Sequence, residues 1–111
     1  MPQAVLGEFE HHVLLAILRL GTDAYSVAIF NELESSAGRN VSLAAIYVAL
    51  RRLEKKALLQ SRLVDPSDGG KASHPRRYVR LTSKALQMMR GSRQAFLKLW
   101  DGVEPVLDKQ P

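Results

Sequence analysis

The sequence predicts a mainly α-helical chain with a small β-hairpin, and three observations lead to this fold class. Apolar residues recur at steps of three and four in the first half of the chain, which is the spacing of helices packed on a core. Two strand-like runs separated by a turn-rich loop follow, and a further helical stripe occupies the C-terminal region. A chain of 111 residues without cysteine has room for one modest core that no disulfide stabilises.

The first two predicted helices cover residues 5–20 and about Tyr25–Ser36. In the first helix, Leu18 is among the residues expected to widen the buried stripe. Gly21 suits the left-handed position that often ends a helix. Two short helices joined by a turn are thereby expected ahead of residue 38.

The third predicted helix, residues 42–56, has two unlike faces. Its N-cap is Ser42, and its apolar stripe consists of Leu43, Ile46, Tyr47, Leu50 and Leu53. The other face is bare of the Glu and Gln that a solvated helix usually carries, and consists of Ala44, Ala45, Val48, Ala49, Arg51, Arg52 and Lys55. Small residues permit the close approach of a partner, and the cations attract an anion.

Residues 58–64 and 76–82 are predicted to form two strands of a hairpin. The loop between them, about eleven residues, exceeds the two to five of tight hairpins, so it should project. The strands carry cations at Arg62, Arg76, Arg77 and Arg80. Three helices followed by a basic hairpin are the order of a winged helix-turn-helix domain, here residues 1–82.

Residues 83–111 are predicted to form a C-terminal dimerisation helix that Thr82 caps. Its seam, interrupted once by Arg93, consists of Leu86, Met89, Phe96, Trp100, Val103 and Leu107. A small domain with its own core cannot also cover this seam, so a homodimer is expected. The alternative is a helix that folds back over its own domain. Gly102 and Pro105 should bend the end of the helix.

Positive charge is concentrated in the middle of the chain. The net charge is +5, but residues 51–90 hold eleven Lys and Arg against three Asp and Glu, a local balance of +8. A solubilising charge would be mixed in sign, so this segment favours a polyanionic partner. A solvated basic face is the alternative.

No catalytic or metal-binding constellation is found in the sequence. Adjacent His11 and His12 cannot share one face of a helix, and no cysteine is present to hold zinc. Glu8 and Glu10 are interpreted as solvent-facing residues beside a buried Phe9. We therefore expect neither an enzyme nor a cofactor. No apolar run reaches the roughly 18 residues that a membrane span requires, so a cytoplasmic protein without membrane contact is expected.

The phrases "LGEFEHHVLLAIL", "DAYSVAI", "VSLAAIYVALRRLEKKALL" and "RRYVRLT", in this order, resemble the PadR family of bacterial winged-helix transcriptional regulators. The likeness covers nearly the whole chain. It implies a winged helix-turn-helix with a C-terminal dimerisation helix that binds a double-stranded DNA operator as a homodimer, usually as a repressor. It also implies that a small aromatic or drug-like effector often modulates binding.

The sequence departs from the family pattern at three positions. Ala57 stands where glycine commonly follows the third helix, so either a left-handed residue there is strained by about 1 kcal/mol or the helix ends differently. Ser26 replaces a frequent glycine, and Val48 replaces a frequent proline or threonine, which bears on base preference. The C-terminal region is a single helix, so the longer effector-binding extension of some relatives is expected to be missing.

By this resemblance, the third helix enters the major groove. Base edges would be met by Ser42, Ala44, Ala45 and Val48, although Ser42 has a phosphate as its alternative. Phosphates would be bound by Arg51, Arg52 and Lys55 on the helix, and phosphate or minor groove by Lys71, Arg76 and Arg77 on the wing. Tyr47 has two candidate roles, with its ring in the core or its hydroxyl on a phosphate.

Two rival functions stay open at this point. Phe96 and Trp100 from two chains could line a slot for a flat aromatic ligand, which would make the protein a sensing module, although core packing at the seam explains the same residues. A winged-helix adaptor that binds only protein is the other rival. It predicts weak and salt-insensitive association with duplexes, against which the basic middle segment argues.

Overall fold

A computed structural model describes residues 6–65 and 75–109 of the chain. The predicted fold class is confirmed: the described residues are mostly helical, with a two-stranded antiparallel hairpin. The elements are α1 (Glu8–Leu20), a 3-10 turn (Gly21–Asp23), α2 (Ser26–Ala37), α3 (Leu43–Lys55), β1 (Leu59–Val64), β2 (Arg76–Leu81), α4 (Ser83–Trp100) and α5 (Glu104–Asp108).

One hydrophobic core joins α1, α2, α3, the base of the hairpin and the first two turns of α4. Its largest fully buried side chains are Leu14, Ile29, Ile46, Leu53, Leu58 and Val13. The start of α4 adds Ala85 and Met89 to this core. The predicted buried position of Leu18 is wrong, since its side chain is exposed like that of Leu15. Leu18 lies about 100° around the helix from Ile17, which places it beyond the covered face.

Helix α3 is rotated in the core relative to the predicted stripe. Ala49, assigned to the bare face, is only 3% exposed, whereas Tyr47, assigned to the apolar stripe, is 49% exposed. The face that packs against α1 and α2 carries Ile46, Ala49 and Leu53. Alanine allows α3 to approach its neighbours closely, and the bulky Tyr47 is then turned outwards.

Of the two ways in which the third helix could end at Ala57, the structure shows the left-handed one. Ala57 adopts a left-handed conformation with φ of 63°. The Leu58 N–H donates to the Leu53 carbonyl at 2.9 Å and the Ala57 N–H to the Glu54 carbonyl at 3.0 Å, which is a Schellman motif. Such a motif normally places glycine at this position, because a Cβ crowds the following carbonyl in the left-handed region.

The hairpin is packed against the helices along one edge. Its register pairs Leu59 with Leu81 at the base and Val64 with Arg76 near the tip. The Val79 N–H of β2 donates to a carbonyl at the end of the 3-10 turn, that of Ala24, at 2.9 Å. The wing is thereby fixed on the side of β2, while the far side of β1 is free of a further strand in the described residues.

The C-terminal helix is divided. Thr82 caps α4 as predicted, accepting from the Ala85 N–H at 3.2 Å, and its hydroxyl donates to the Ala57 carbonyl at 2.8 Å. The helix ends at Trp100, and α5 begins after a turn in which Gly102 has a φ of 84°. Pro105 lies in the first turn of α5. The predicted bend at Gly102 and Pro105 is confirmed.

Candidate nucleic-acid interface

The exposed face of α3 is built from small side chains at its start and cations at its end. Its N-cap side chain, Ser42, accepts from the Ala45 N–H at 3.1 Å, as predicted. The steps of four, three and four from residue 44 to residue 55 keep these positions on one side, opposite the buried face. Of the predicted contact residues on α3, all are exposed except the half-buried Ala45: Ser42, Ala44, Tyr47, Val48, Arg51, Arg52 and Lys55.

The cations of this face have no acidic partner among the described residues. None of Arg51, Arg52 and Lys55 takes part in the ion pairs found there, which are Arg19–Glu32, Arg39–Glu8 and Lys56–Glu10. Their charges are therefore available to an external anion. Lys56, which also belongs to the basic segment, is neutralised by Glu10 and does not contribute to this face.

Both ends of α3 are attached to α1 by ion pairs. Ahead of α3, the Arg39 guanidinium lies 2.8 Å from Glu8 and 5.1 Å from the centre of the Phe9 ring. After α3, the Lys56 ammonium lies 3.0 Å from the half-buried Glu10. The prediction that both glutamates face solvent is confirmed for Glu8, whose side chain is 75% exposed, and wrong for Glu10, whose side chain is 13% exposed. Each also reaches a cation from another part of the chain. These partly exposed pairs supplement the buried contacts of Ile46, Ala49 and Leu53, which hold α3 on the body of the protein.

Tyr47 does not occupy the core. Its hydroxyl accepts a hydrogen bond from the Ser26 hydroxyl at 3.2 Å, and half of its side chain remains exposed. Of the two roles left open, packing of the ring in the core is thus excluded. Ser26, at the first position of α2, is one of the departures from the family pattern, and its side chain supplies this contact between the two helices.

The wing presents its two adjacent arginines on opposite faces, because successive side chains alternate along a strand. Arg77 donates to the Ser61 hydroxyl at 3.2 Å, and Ser61 donates to the Glu54 carboxylate at 2.8 Å. This relay connects β2, β1 and the last turn of α3. Arg77 is exposed, so its guanidinium is accessible to DNA on the same side as α3. Lys71 lies outside the described residues.

Arg76 points to the other face, where two tyrosines hold it. Its guanidinium lies 4.2 Å from the centre of the Tyr25 ring, and the rings of Tyr25 and Tyr78 meet edge to face at 5.5 Å. A hydrogen bond with Tyr78, with a smaller contribution from the charge of Tyr25, raises the pKa of Arg76 above its usual range. Sequence reasoning missed Tyr25, since no local spacing connects it with a strand so far along the chain.

The predicted dimer seam on α4 is divided between two environments. Met89 is only 7% exposed and packs in the core of its own chain, so it cannot serve as a contact for a partner. Phe96 is 59% exposed, and Trp100, Val103 and Leu107 are also exposed. The alternative in which the whole helix folds back over the domain is wrong for this second half, because its apolar side chains are uncovered.

Residues 6–65 and 75–109 contain neither a metal site nor a membrane span. No group of three or more His, Asp or Glu side chains is arranged to hold a metal ion in that part of the chain. No helix there combines the length and the apolar character needed to cross a bilayer. The features that remain at the surface are the exposed face of α3, the basic wing and the apolar end of α4.

Known proteins share this arrangement. The family model described as the transcriptional regulator PadR-like family matches residues 14–89. A PadR family transcriptional regulator from Eggerthella lenta DSM 2243 is 29% identical, with a TM-score of 0.65 over 88% of this chain and 82% of that one. A PadR family transcription regulator from Clostridium difficile R20291 has a TM-score of 0.71 over 89% of this chain and 98% of that one, at 19% identity, which shows the fold alone.

A further relative comes from Lysinibacillus sphaericus. That uncharacterized protein is 28% identical over 106 residues, which cover 94% of this chain and 88% of the relative. The family model spans the helix-turn-helix, the wing and the start of α4, which are the parts that carry the exposed basic face. The chain therefore belongs to the PadR-like family of DNA-binding transcription regulators.

Proposed function

We propose that the protein is a homodimeric, sequence-specific repressor that acts in the cytoplasm by placing α3 of each protomer in the major groove of an operator. The observation that carries this proposal is the exposed face of α3. It combines small side chains at the N-terminal end with cations, at Arg51, Arg52 and Lys55, that no described carboxylate neutralises. Such a face fits a groove whose walls are phosphates.

The proposed contacts follow the order of residues along α3. Base edges would be met by Ser42, Ala44, Ala45 and Val48, with the apolar side chains on thymine methyl groups. Arg51, Arg52 and Lys55, about two turns further, would bind phosphates. The Tyr47 hydroxyl, at the rim of the face beside Ser26, would bind one more phosphate. On the wing, Arg77 and Lys71 would bind the backbone or the adjacent minor groove.

The proposed dimer uses the second half of α4 together with α5. Phe96, Trp100, Val103 and Leu107 leave an apolar surface that no part of the described chain covers. Burial of such a surface between two copies removes it from water, which is the main driving force of association. In this proposal, residues 1–82 bind DNA, and residues 83–111 form a dimerisation segment whose first two turns pack on their own domain and whose remainder contacts the partner. Two copies related by a two-fold axis would read two half-sites of a palindrome.

A second function, modulation by a flat aromatic effector, is supported by the position of the two aromatics. Phe96 and Trp100 are one turn apart and both exposed, so that four such rings from two protomers would meet at the seam. Trp100 is the single tryptophan of the chain, and its fluorescence reports directly on this place. Titration with planar aromatics should quench it and change DNA affinity; if neither changes, the effector function is removed.

The experiment that tests DNA binding replaces Arg51 and Arg52 together with alanine. Binding to all duplexes should weaken, and the slope of log K against log salt should flatten by about 0.9 for each phosphate that the variant no longer neutralises. Lys56→Ala is the matched control, since Lys56 is paired with Glu10 and should leave the slope unchanged. Unchanged binding by the double variant would show that α3 is not the reader. Selection of sites from random duplexes would then give the operator and its half-site spacing.

A further inference from the structure

Residues 24–26, which we call the 24–26 junction, connect the wing with α2. The Ala24 carbonyl accepts the Val79 N–H of β2 at 2.9 Å. The next residue, Tyr25, receives the Arg76 guanidinium over its ring at 4.2 Å. One backbone bond and one side-chain stack thus attach β2 at neighbouring positions, which restrains the hairpin against both sliding and rotation.

The same junction also contacts α3. Ser26, directly after Tyr25, donates to the Tyr47 hydroxyl at 3.2 Å. Tyr47 lies on the exposed side of α3, next to the residues proposed to read DNA. A short path of contacts therefore runs from Arg76 on the wing, through Tyr25 and Ser26, to Tyr47 on the reading helix.

Arg76 and Arg77 differ in how much of each side chain is available to a ligand. Arg77 is exposed on the side of α3, whereas Arg76 is half-buried on the opposite side of the strand. For Arg76 to bind a phosphate, its guanidinium would have to leave the Tyr25 ring, and the stack would be broken. A planar cation over an aromatic ring is a favourable contact that Arg makes more often than Lys.

Resting on the proposed DNA-binding function, we propose that Arg76 is a positioning residue, which acts through Tyr25 to hold the wing at a fixed angle to α3 and does not itself contact DNA. A two-stranded hairpin is marginally stable alone, so its direction depends on contacts with the rest of the protein. A wing held in its binding direction loses less freedom when DNA binds. This restraint would hold Arg77, on the same strand, in position to contact the DNA backbone.

The test is a double-mutant cycle on DNA affinity with Tyr25→Leu and Arg76→Met, measured on a random-sequence duplex at several salt concentrations. Each single variant should weaken binding by about two- to fivefold for each wing, hence about four- to twenty-five-fold for a dimer. The free-energy effects should be less than additive in the double variant, because both changes remove the same stack, whereas the hydrogen bond of Arg76 with Tyr78 is lost only with Arg76 and the ring contact of Tyr25 with Tyr78 only with Tyr25. Tyr25→Phe keeps the ring and should bind like the wild type.

Arg76→Lys separates the two roles of the arginine. It keeps the charge that a phosphate needs and removes the planar stack, so a positioning role predicts weakened binding and a phosphate contact predicts nearly unchanged binding. Additive effects on the free energy of DNA binding in the cycle would overturn the proposal. So would wild-type DNA affinity of Tyr25→Leu or Arg76→Lys. If Tyr25→Leu does not fold, as judged by its thermal unfolding, Arg76→Lys alone decides. A wild-type protein that fails to bind the duplex at low salt would instead overturn the proposed DNA binding.

Discussion

The body of the protein, residues 6–65 and 75–89, and its tail, residues 90–109, have the same apolar spacing and opposite surroundings. In the body, apolar side chains from helices and hairpin bury one another, as Met89 does at 7% exposure. In the tail, the next members of the same stripe remain open to solvent, as Phe96 does at 59%. The spacing of apolar residues thus shows which side of a helix is apolar. The extent of the body decides which turns of that side are buried.

Trp100→Asp in the tail should have the strongest effect on the assembly. A carboxylate at the seam would have to be buried without a partner, so the dimer should weaken by at least about 3 kcal/mol, or more than a hundredfold in Kd. Sedimentation should find a monomer whose body retains its helical circular dichroism. Lys98→Asp, which places a carboxylate on the same helix away from Trp100, should stay dimeric. If Trp100→Asp also sediments as a dimer, the seam is misplaced.

A smaller effect, on the stability of the body, is expected from truncating the buried side chain of Met89. Met89→Ala leaves a cavity in the core, which should lower the free energy of unfolding by about 2–3 kcal/mol. Phe96→Ala removes a larger side chain from the tail and should leave the unfolding of the body nearly unchanged, provided that both are measured in the monomeric Trp100→Asp background. If Met89→Ala and Phe96→Ala lower the free energy of unfolding in urea equally, the body and the tail do not differ in burial as described.

The sequence predicted the elements and their order because each has a local signal. Ser42 and Thr82 cap their helices as expected, since a cap depends only on the residues of one turn. The rotation of α3 about its axis, which decides the face that is buried, was predicted less well. Tyr47 and Ala49 both lie between Ile46 and Leu50 in the sequence. The large ring favours burial of Tyr47, whereas close packing favours the small Ala49, which lets two helices approach.

Contacts between distant parts of the chain could not be predicted from spacing. Glu10 and Lys56 each occur in a run of charges, and no local pattern indicates that they meet. The stack of Arg76 on Tyr25 depends on the angle between the hairpin and α2, which tertiary packing sets. For the candidate interface, the sequence therefore supplied the residue types, and the fold decided which cations are free and which are engaged.

Two backbone positions, one in the body and one in the tail, should gain about 1 kcal/mol of stability from opposite substitutions. In the body, Ala57→Gly should stabilise by about 1 kcal/mol, because φ at this residue is 63°. In the tail, Gly91 lies inside α4, where an added Cβ would meet no heavy atom within 4 Å. Gly91→Ala should therefore stabilise the helix by about 1 kcal/mol through its helix propensity.

The two variants should differ in what they stabilise. Ala57→Gly should raise the urea midpoint of the body, whereas Gly91→Ala should slow amide hydrogen exchange in α4 beyond Met89 and change the body little. The reverse substitution at a matched position, Ala95→Gly in the tail, should speed that exchange. A lower midpoint for Ala57→Gly would contradict the strain at the end of α3.

The smallest effect concerns the pH dependence of stability, which distinguishes the carboxylates of body and tail. A hydrogen bond from Ser36, then the guanidinium of Arg19, holds the pKa of Glu32 below its ordinary value of 4.5. A carboxyl whose pKa is lowered on folding stabilises the protein above its unfolded pKa, and this contribution is lost as pH falls through the folded pKa. Glu32→Gln should therefore be less stable than the wild type near neutral pH, and the difference should shrink below pH 4.5.

Glu104→Gln is the control, because Glu104 in the tail forms no ion pair with any described residue and is exposed. Urea unfolding of the two variants across this pH range measures the effect. If the free energy of unfolding of Glu32→Gln differs from that of the wild type by the same amount at every pH, the ionised Glu32 carboxylate does not stabilise the body.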